Sequence, residues 1–83
     1  MVFTIEKSRI YAKNSSGKIV AEILFPEKTK GVFCIERTFV DDSLRGQGIA
    51  SRLMRMAVLE ITQAGGTVTA TCSYAKNWLE QHS

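Results

Sequence analysis

Long hydrophobic runs are missing from this chain: no stretch approaches the roughly 18 consecutive apolar residues that a membrane-spanning helix needs. Cysteine is sparse, with Cys34 and Cys72 the only two. Without an apolar leader at the start, that pair does not read as the disulfide framework of a secreted module. The expectation is reduced thiols in a soluble, cytoplasmic protein with no membrane partner. Proline occurs once, and 45% of residues are hydrophobic, which excludes the composition of a disordered chain. Internal repeats and linkers are absent, and 83 residues suffice for one small domain, read as 1–83. Basic residues outnumber acidic ones, for a net charge of +3, but no three stand together between Lys7 and Lys76. That scatter makes neither a tail nor a stripe, so nucleic acid is not expected as a partner. The positive balance still favours an anionic small molecule over a cationic one.

What is present reads as β-β-β-α-β-α. The segment from Phe3 to Ala12 is one bulged strand or two short pieces, closed by the turn cluster Asn14-Ser15-Ser16-Gly17, whose residues suit turns. Lys18 to Phe25 is an interior strand with apolar residues on both faces, ended by Pro26; Glu27 to Gly31 is a charged turn. Strict alternation over Val32 to Val40 places Phe33, Ile35, Arg37 and Phe39 on one face and Val32, Cys34, Glu36, Thr38 and Val40 on the other. Each face mixes apolar and chargeable groups, which fits a functional site and fits an edge strand equally. Ile49, Leu53, Met56, Ala57, Ile61 and Ala64 recur at helical spacing, and Gly65-Gly66 stops that helix. A strand from Thr67 to Cys72 and a short helix from Tyr74 to Gln81 complete the chain. The fold class is α+β (α/β): a mixed sheet of about four main strands, the first three antiparallel and the last two parallel across a right-handed helical crossover.

Between the third strand and the long helix lies Arg45-Gly46-Gln47-Gly48-Ile49-Ala50. Glycines there let the main chain approach a ligand, and the first N–H groups of a helix have no internal acceptor, which together suit a pyrophosphate. Arg45 and Arg52 add positive charge, and Ser51 adds one donor. A nucleoside-triphosphate loop requires Gly-Lys-Ser/Thr, whereas Ile49 follows Gly48. A dinucleotide fingerprint requires an acid on the next strand, and Thr67 to Cys72 has none.

Arg45-x-x-Gly48-x-Ala50, set between a strand and a helix, resembles the Arg/Gln-x-x-Gly-x-Gly/Ala signature of the GNAT N-acetyltransferase superfamily. Thr38-Phe39-Val40 and Cys72-Ser73-Tyr74-Ala75 are similar to motifs of a very small single-domain subgroup, and the likeness runs from about Ala21 to His82. The resemblance implies acetyl-CoA as cofactor, with Gln47, Gly48, Ile49, Ala50 and Ser51 on the pyrophosphate; the chemistry of the loop itself adds Gly46, Arg45 and Arg52. It also implies that the main chain of Phe39 and Val40 bonds the pantetheine arm as an added strand would. Larger relatives build their acceptor pocket from helices between the first two strands, where this chain has only the Asn14 to Gly17 turn.

Acetyl transfer to an amine needs a base, an oxyanion hole and an acid. Glu36, on the cofactor strand, is the candidate base, its alternative role being an ion pair with a lysine. The family's Asn-x-x-Ala-x-x-x-Tyr pattern, aligned on Ala75, meets Cys72 and Leu79 here, so its usual acid is absent; Tyr74 is the substitute, or else a packed ring. Cys72 closes a strand beside a helix start that lowers a thiol pKa, and it reads either as an acetyl-accepting thiolate or as an inert buried cysteine. Small relatives carry a His where Arg37 stands, and arginine cannot serve as a base. His82 reads as solvated and Cys34 as packing. The functional expectation is an N-acetyltransferase acting on an unidentified amine or protein acceptor, as a monomer or weak dimer. The alternatives are a non-catalytic acyl-CoA binding or sensing module and, more distantly, a small basic nucleic-acid-binding domain.

Overall fold

The computed structural model describes residues 1–82. The Phe3 to Ala12 segment forms two strands, β1 (Thr4–Glu6) and β2 (Arg9–Lys13), paired antiparallel. The next turn is held by Asn14, whose Oδ1 accepts from the N–H groups of Ser16 and Lys18, each at 3.0 Å. It delivers the chain into β3 (Ile19–Leu24), an interior strand flanked by β2 and β6. After Pro26 the charged segment is more than a turn: Glu27–Thr29 is a short strand, β4, antiparallel to β5 (Val32–Ile35). The Glu27 carboxylate accepts the N–H of Gly31 at 2.7 Å and closes that hairpin.

The third strand expected over Val32 to Val40 splits at Glu36. Its first half is β5 and its second half is β6 (Arg37–Val40), and the two halves belong to different sheets. One sheet runs β1-β2-β3-β6; the other runs β4-β5-β7, where β7 is Thr67–Ala70. Leu24 lies opposite Arg37, and its carbonyl also accepts the N–H of Glu36 at 3.0 Å, so two residues face one. That is a β-bulge, and an extra residue resets the side-chain alternation beyond it. The strict two-face reading of Val32 to Val40 is corrected accordingly. Glu36 and Arg37 are both exposed, whereas Thr38 and Val40 turn toward the side on which Phe33 and Ile35 are buried.

The helix α1 (Ile49–Gln63) returns the chain for a parallel crossover, with Val32 opposite Thr67 and Ile35 opposite Ala70. Its buried stripe is Ile49, Leu53, Met54, Ala57 and Ile61, packed over β2, β3, β6 and β7. Met54 widens the stripe beyond the expected positions, while Ala64, expected to be in it, is the exposed C-cap. Behind α1 the core holds Ile10, Ile23, Phe25 and Ile35, all essentially inaccessible. The last helix, α2 (Ser73–Gln81), rests on β7 and α1 with Ala75 buried.

Gly66 is a packing glycine. A Cβ there would lie 2.8 Å from Cδ1 and Cε1 of Phe33 and 3.1 Å from Cγ2 of Ile61. Gly66→Ala is therefore expected to cost about 1–3 kcal/mol by overpacking, read as a lower urea midpoint at unchanged slope. A midpoint equal to the unmodified chain's would show that the Phe33 ring yields freely, contrary to this packing.

Candidate functional site

Beyond Ile35 the two parallel strands part. The N–H groups of Thr71 and Cys72 both donate to the Ile35 carbonyl, at 3.1 and 3.3 Å, and from there β7 leads into α2 while β6 follows β3. A gap opens between β6 and the start of α2. Asp41 N–H donates to Val20 at 2.8 Å, so the alternation of an antiparallel ladder gives the β3-facing bonds to Phe39, opposite Glu22. The main-chain groups of Thr38 and Val40 are left facing the gap. The Phe39 ring lies on the outer face of the sheet, with the Arg37 guanidinium 5.1 Å over it.

A cavity of about 440 Å³ fills the gap, lined by Thr38 and Val40 of β6, by Leu44 to Gly46 and Gly48 of the loop, by Ile49 to Ser51 of α1, and by Tyr74 of α2. Its size suits a small-molecule ligand. The loop enters through a 3₁₀ turn, Asp42–Leu44. Asp41 caps that turn: its carboxylate accepts the Ser43 hydroxyl at 2.6 Å and the Ser43 N–H at 3.1 Å. Those two bonds, the hydroxyl foremost, hold the Asp41 carboxyl below the usual carboxylate range.

The start of α1 is built in the opposite way. Its N-cap is Gly48, with no side-chain cap and no acidic residue in the first turn. An ordinary helix start spends Ser, Thr, Asp or Asn on this position. Here the N–H groups from Gly46 to Ser51 have no acceptor among the described residues. Gly46 has φ +82° and Gly48 φ +72°, and among the described residues no non-glycine has positive φ, so the sign alternates through Gln47. Successive amides in such an alternation converge into a concave nest that attracts anions, and the helix dipole adds to it. A side chain added at either glycine meets nothing within 4 Å; the glycines serve the backbone conformation and leave open approach above it.

Arg45 lines the cavity, and its Nε donates to Asp42 at 2.8 Å with both side chains largely exposed. An ion pair of that kind is worth little, which leaves the guanidinium available to a stronger anion. Arg52 instead lies 5.0 Å over the Phe3 ring and does not line the cavity. The Ser51 hydroxyl accepts from Trp78 Nε1 and from Arg55 Nη1, each at 2.9 Å.

Tyr74 lines the cavity and is 41% exposed, so its ring is not simply core packing. Cys72, the N-cap of α2, lies behind the lining and reaches it through Thr38, with Sγ 3.9 Å from Thr38 Oγ1. Burial pushes the Cys72 thiol up, but the N–H groups of Ala75 and Tyr74, with the hydroxyl and N–H of Thr38, outweigh it and leave the pKa lowered. Alkylation of Cys72 is accordingly expected to reach half its maximal rate at a pH below that of an ordinary thiol. Thr38→Val should move that midpoint upward; a midpoint in the ordinary thiol range with no response to the substitution would contradict the hydrogen-bonding described.

Glu36 is not brought to the cavity. Its carboxylate pairs with Lys28 of β4 at 2.6 Å, and that pairing raises the Lys28 pKa, the hydrogen bond being the largest cause. Arg37 is also elsewhere, sharing Glu22 with Arg9 on the outer sheet face. The side chain of Gln47 is exposed outside the lining, whereas its N–H lies in the unpaired series. His82 stacks on Trp78, ring centroids 3.9 Å apart. Sequence reasoning missed three residues: Thr38, whose orientation depends on the bulge; Leu44, which walls the cavity; and Trp78, whose link to Ser51 is a tertiary contact with no local signature. Among the described residues no cluster of His, Cys, Asp or Glu is arranged to hold a metal, and no helix is long and apolar enough to cross a membrane.

Two sheets that part beside an uncapped, glycine-opened helix make an α+β fold whose unpaired amides are of the kind that suit an anion. Comparison with known proteins narrows it: the family model for the GCN5-related N-acetyltransferases matches residues 9–83, and the chain belongs to that family. It is similar to a GCN5-like candidate N-acetyltransferase from Staphylococcus aureus, at 26% identity over 98% of this chain and 79% of that one, with a TM-score of 0.81. It shares its fold with an IAA acetyltransferase from Bacillus cereus, at 23% identity over 89% and 51% of the two chains, TM-score 0.67. A GNAT-family acetyltransferase from Staphylococcus aureus Mu50 aligns at 14% identity over 89% and 49%, TM-score 0.69. The chain thus spans about half the length of several structures it matches. No curated protein matches it.

Proposed function

We propose that this chain binds acetyl-CoA in the cavity between β6 and α2 and passes its acetyl group to an amine. The observation that carries the reading is the run of amides from Gly46 to Ser51, which have no acceptor among the described residues and border the cavity. A diphosphate satisfies such amides, with Arg45 beside it. The outward main-chain groups of Thr38 and Val40 supply an unpaired strand edge, suited to the amide-bearing pantetheine arm. That assignment replaces Phe39, whose ladder position faces β3. The cofactor would supply the acetyl thioester, with Thr38, Val40 and Tyr74 in the lining to hold its arm and Cys72 behind Thr38.

In this reading Tyr74 holds a proton at its phenol oxygen for return to the departing thiolate. Cys72, its thiol pKa lowered by the hydrogen bonds around it, lies behind the lining in contact with Thr38. Glu36 acts as base only if its pairing with Lys28 opens. A second reading, a binding or sensing module without turnover, is favoured by one observation: the cavity lining contains neither a carboxylate nor an imidazole. The test is isothermal titration with acetyl-CoA followed by a panel of amines, with Tyr74→Phe and Cys72→Ala alongside. Acetyl transfer reduced about tenfold or more by Tyr74→Phe, in the range of general acid catalysis, supports the enzyme. Tight binding with no acetyl leaving the cofactor establishes the binding module, and no binding at all removes both readings.

A further inference from the structure

We propose that Trp78 is a positioning residue for the anion loop: through its indole N–H it fixes Ser51 as a hydrogen-bond donor toward the diphosphate. The inference rests on the proposed acetyl-CoA site and deepens it.

A serine hydroxyl has one proton to donate and two lone pairs to accept with. At Ser51 both lone pairs are engaged, by Trp78 Nε1 and Arg55 Nη1, each at 2.9 Å. No acceptor for its own proton is found among the described residues, and Ser51 lines the cavity. The hydroxyl is therefore saturated as an acceptor and free as a donor. A ligand group that only accepts, such as an ionised phosphate oxygen, completes it, whereas a ligand donor is turned away. The cationic donor from Arg55 polarises the O–H and strengthens what it gives.

The link is directional in the fold. Trp78 sits on α2, half-buried against the core and covered on one face by the His82 ring. Ser51 sits in the first turn of α1. The bond joins elements 27 residues apart, so the seating of α2 is carried to the loop through one hydrogen bond.

The test compares coenzyme A with pantetheine, which lacks the diphosphate. Ser51→Ala and Trp78→Phe are each expected to raise the Kd for coenzyme A by about tenfold, the weight of one hydrogen bond to a charged acceptor, and to leave pantetheine unaffected. In the Ser51→Ala background, Trp78→Phe should add nothing, because the two act through one bond. Should Trp78→Phe fail to fold, the unmodified chain still reports: Trp78 is its only tryptophan, and its emission should shift on adding coenzyme A and not shift in Ser51→Ala. Additive effects, equal effects on both ligands, or emission that responds the same with and without Ser51 overturn the proposal while leaving the site intact. Failure of the unmodified chain to bind coenzyme A takes the site and this inference together.

Discussion

Gly48→Val is expected to weaken acetyl-CoA binding by about a hundredfold, close to 2.7 kcal/mol. Two effects combine. Gly48 is held at φ +72°, where an L-residue pays about 1–2 kcal/mol and a β-branched one more. Relief of that strain rotates the amides of Gly48 and Ile49 out of the nest. The branched side chain also occupies the open space above the glycine, which is the ligand's approach in the proposed site. Gly17→Val is the matched control: Gly17 has φ +85°, equally open surroundings and a place in the hairpin between β2 and β3. It should lower stability comparably and leave affinity unchanged. Equal affinity losses in both would assign the effect to general destabilisation and not to the loop.

Leu53→Ala should have the largest effect on stability, about 2–5 kcal/mol. Leu53 is fully inaccessible on the buried stripe of α1, where the helix is clamped over both sheets. An 83-residue chain has roughly 4–12 kcal/mol in total at about 0.05–0.15 kcal/mol per residue, so the substitution removes a large fraction of it. Saturating acetyl-CoA should restore about 2.7 kcal/mol at a hundredfold excess over Kd. Urea denaturation with and without cofactor measures both terms. A loss under about 1 kcal/mol would mean that α1 is not seated as described.

The parts of the fold that were legible in the sequence are those whose signals are local. The α1 stripe, the Asn14 turn, the Gly65-Gly66 stop and the parallel crossover follow from spacing and turn chemistry alone. The glycine loop was legible because its residues serve the backbone, and backbone demands show as residue type. What was hidden depends on pairing. Nothing in Glu36 or Arg37 announces that both face Leu24, yet that one bulge moves Thr38 to the cavity and Phe39 away from it. Glu36 reads as chemical in the sequence because it lies on the strand that leads to the glycine loop; the β4 strand that provides Lys28 as its partner reads there only as a charged turn. Trp78 reads in the sequence as one member of a helix face, and only the docking of α2 on α1 brings its indole to Ser51.

The central claim is tested most directly by following backbone amide resonances while acetyl-CoA is titrated into the isotopically labelled chain. The account predicts that the largest shifts fall on Gly46 through Ser51, with smaller ones at Thr38, Val40 and Tyr74 and almost none along β1 or β4. Shifts concentrated on the outer sheet face around Glu22 and Arg37, or an unchanged spectrum at millimolar cofactor, would contradict it.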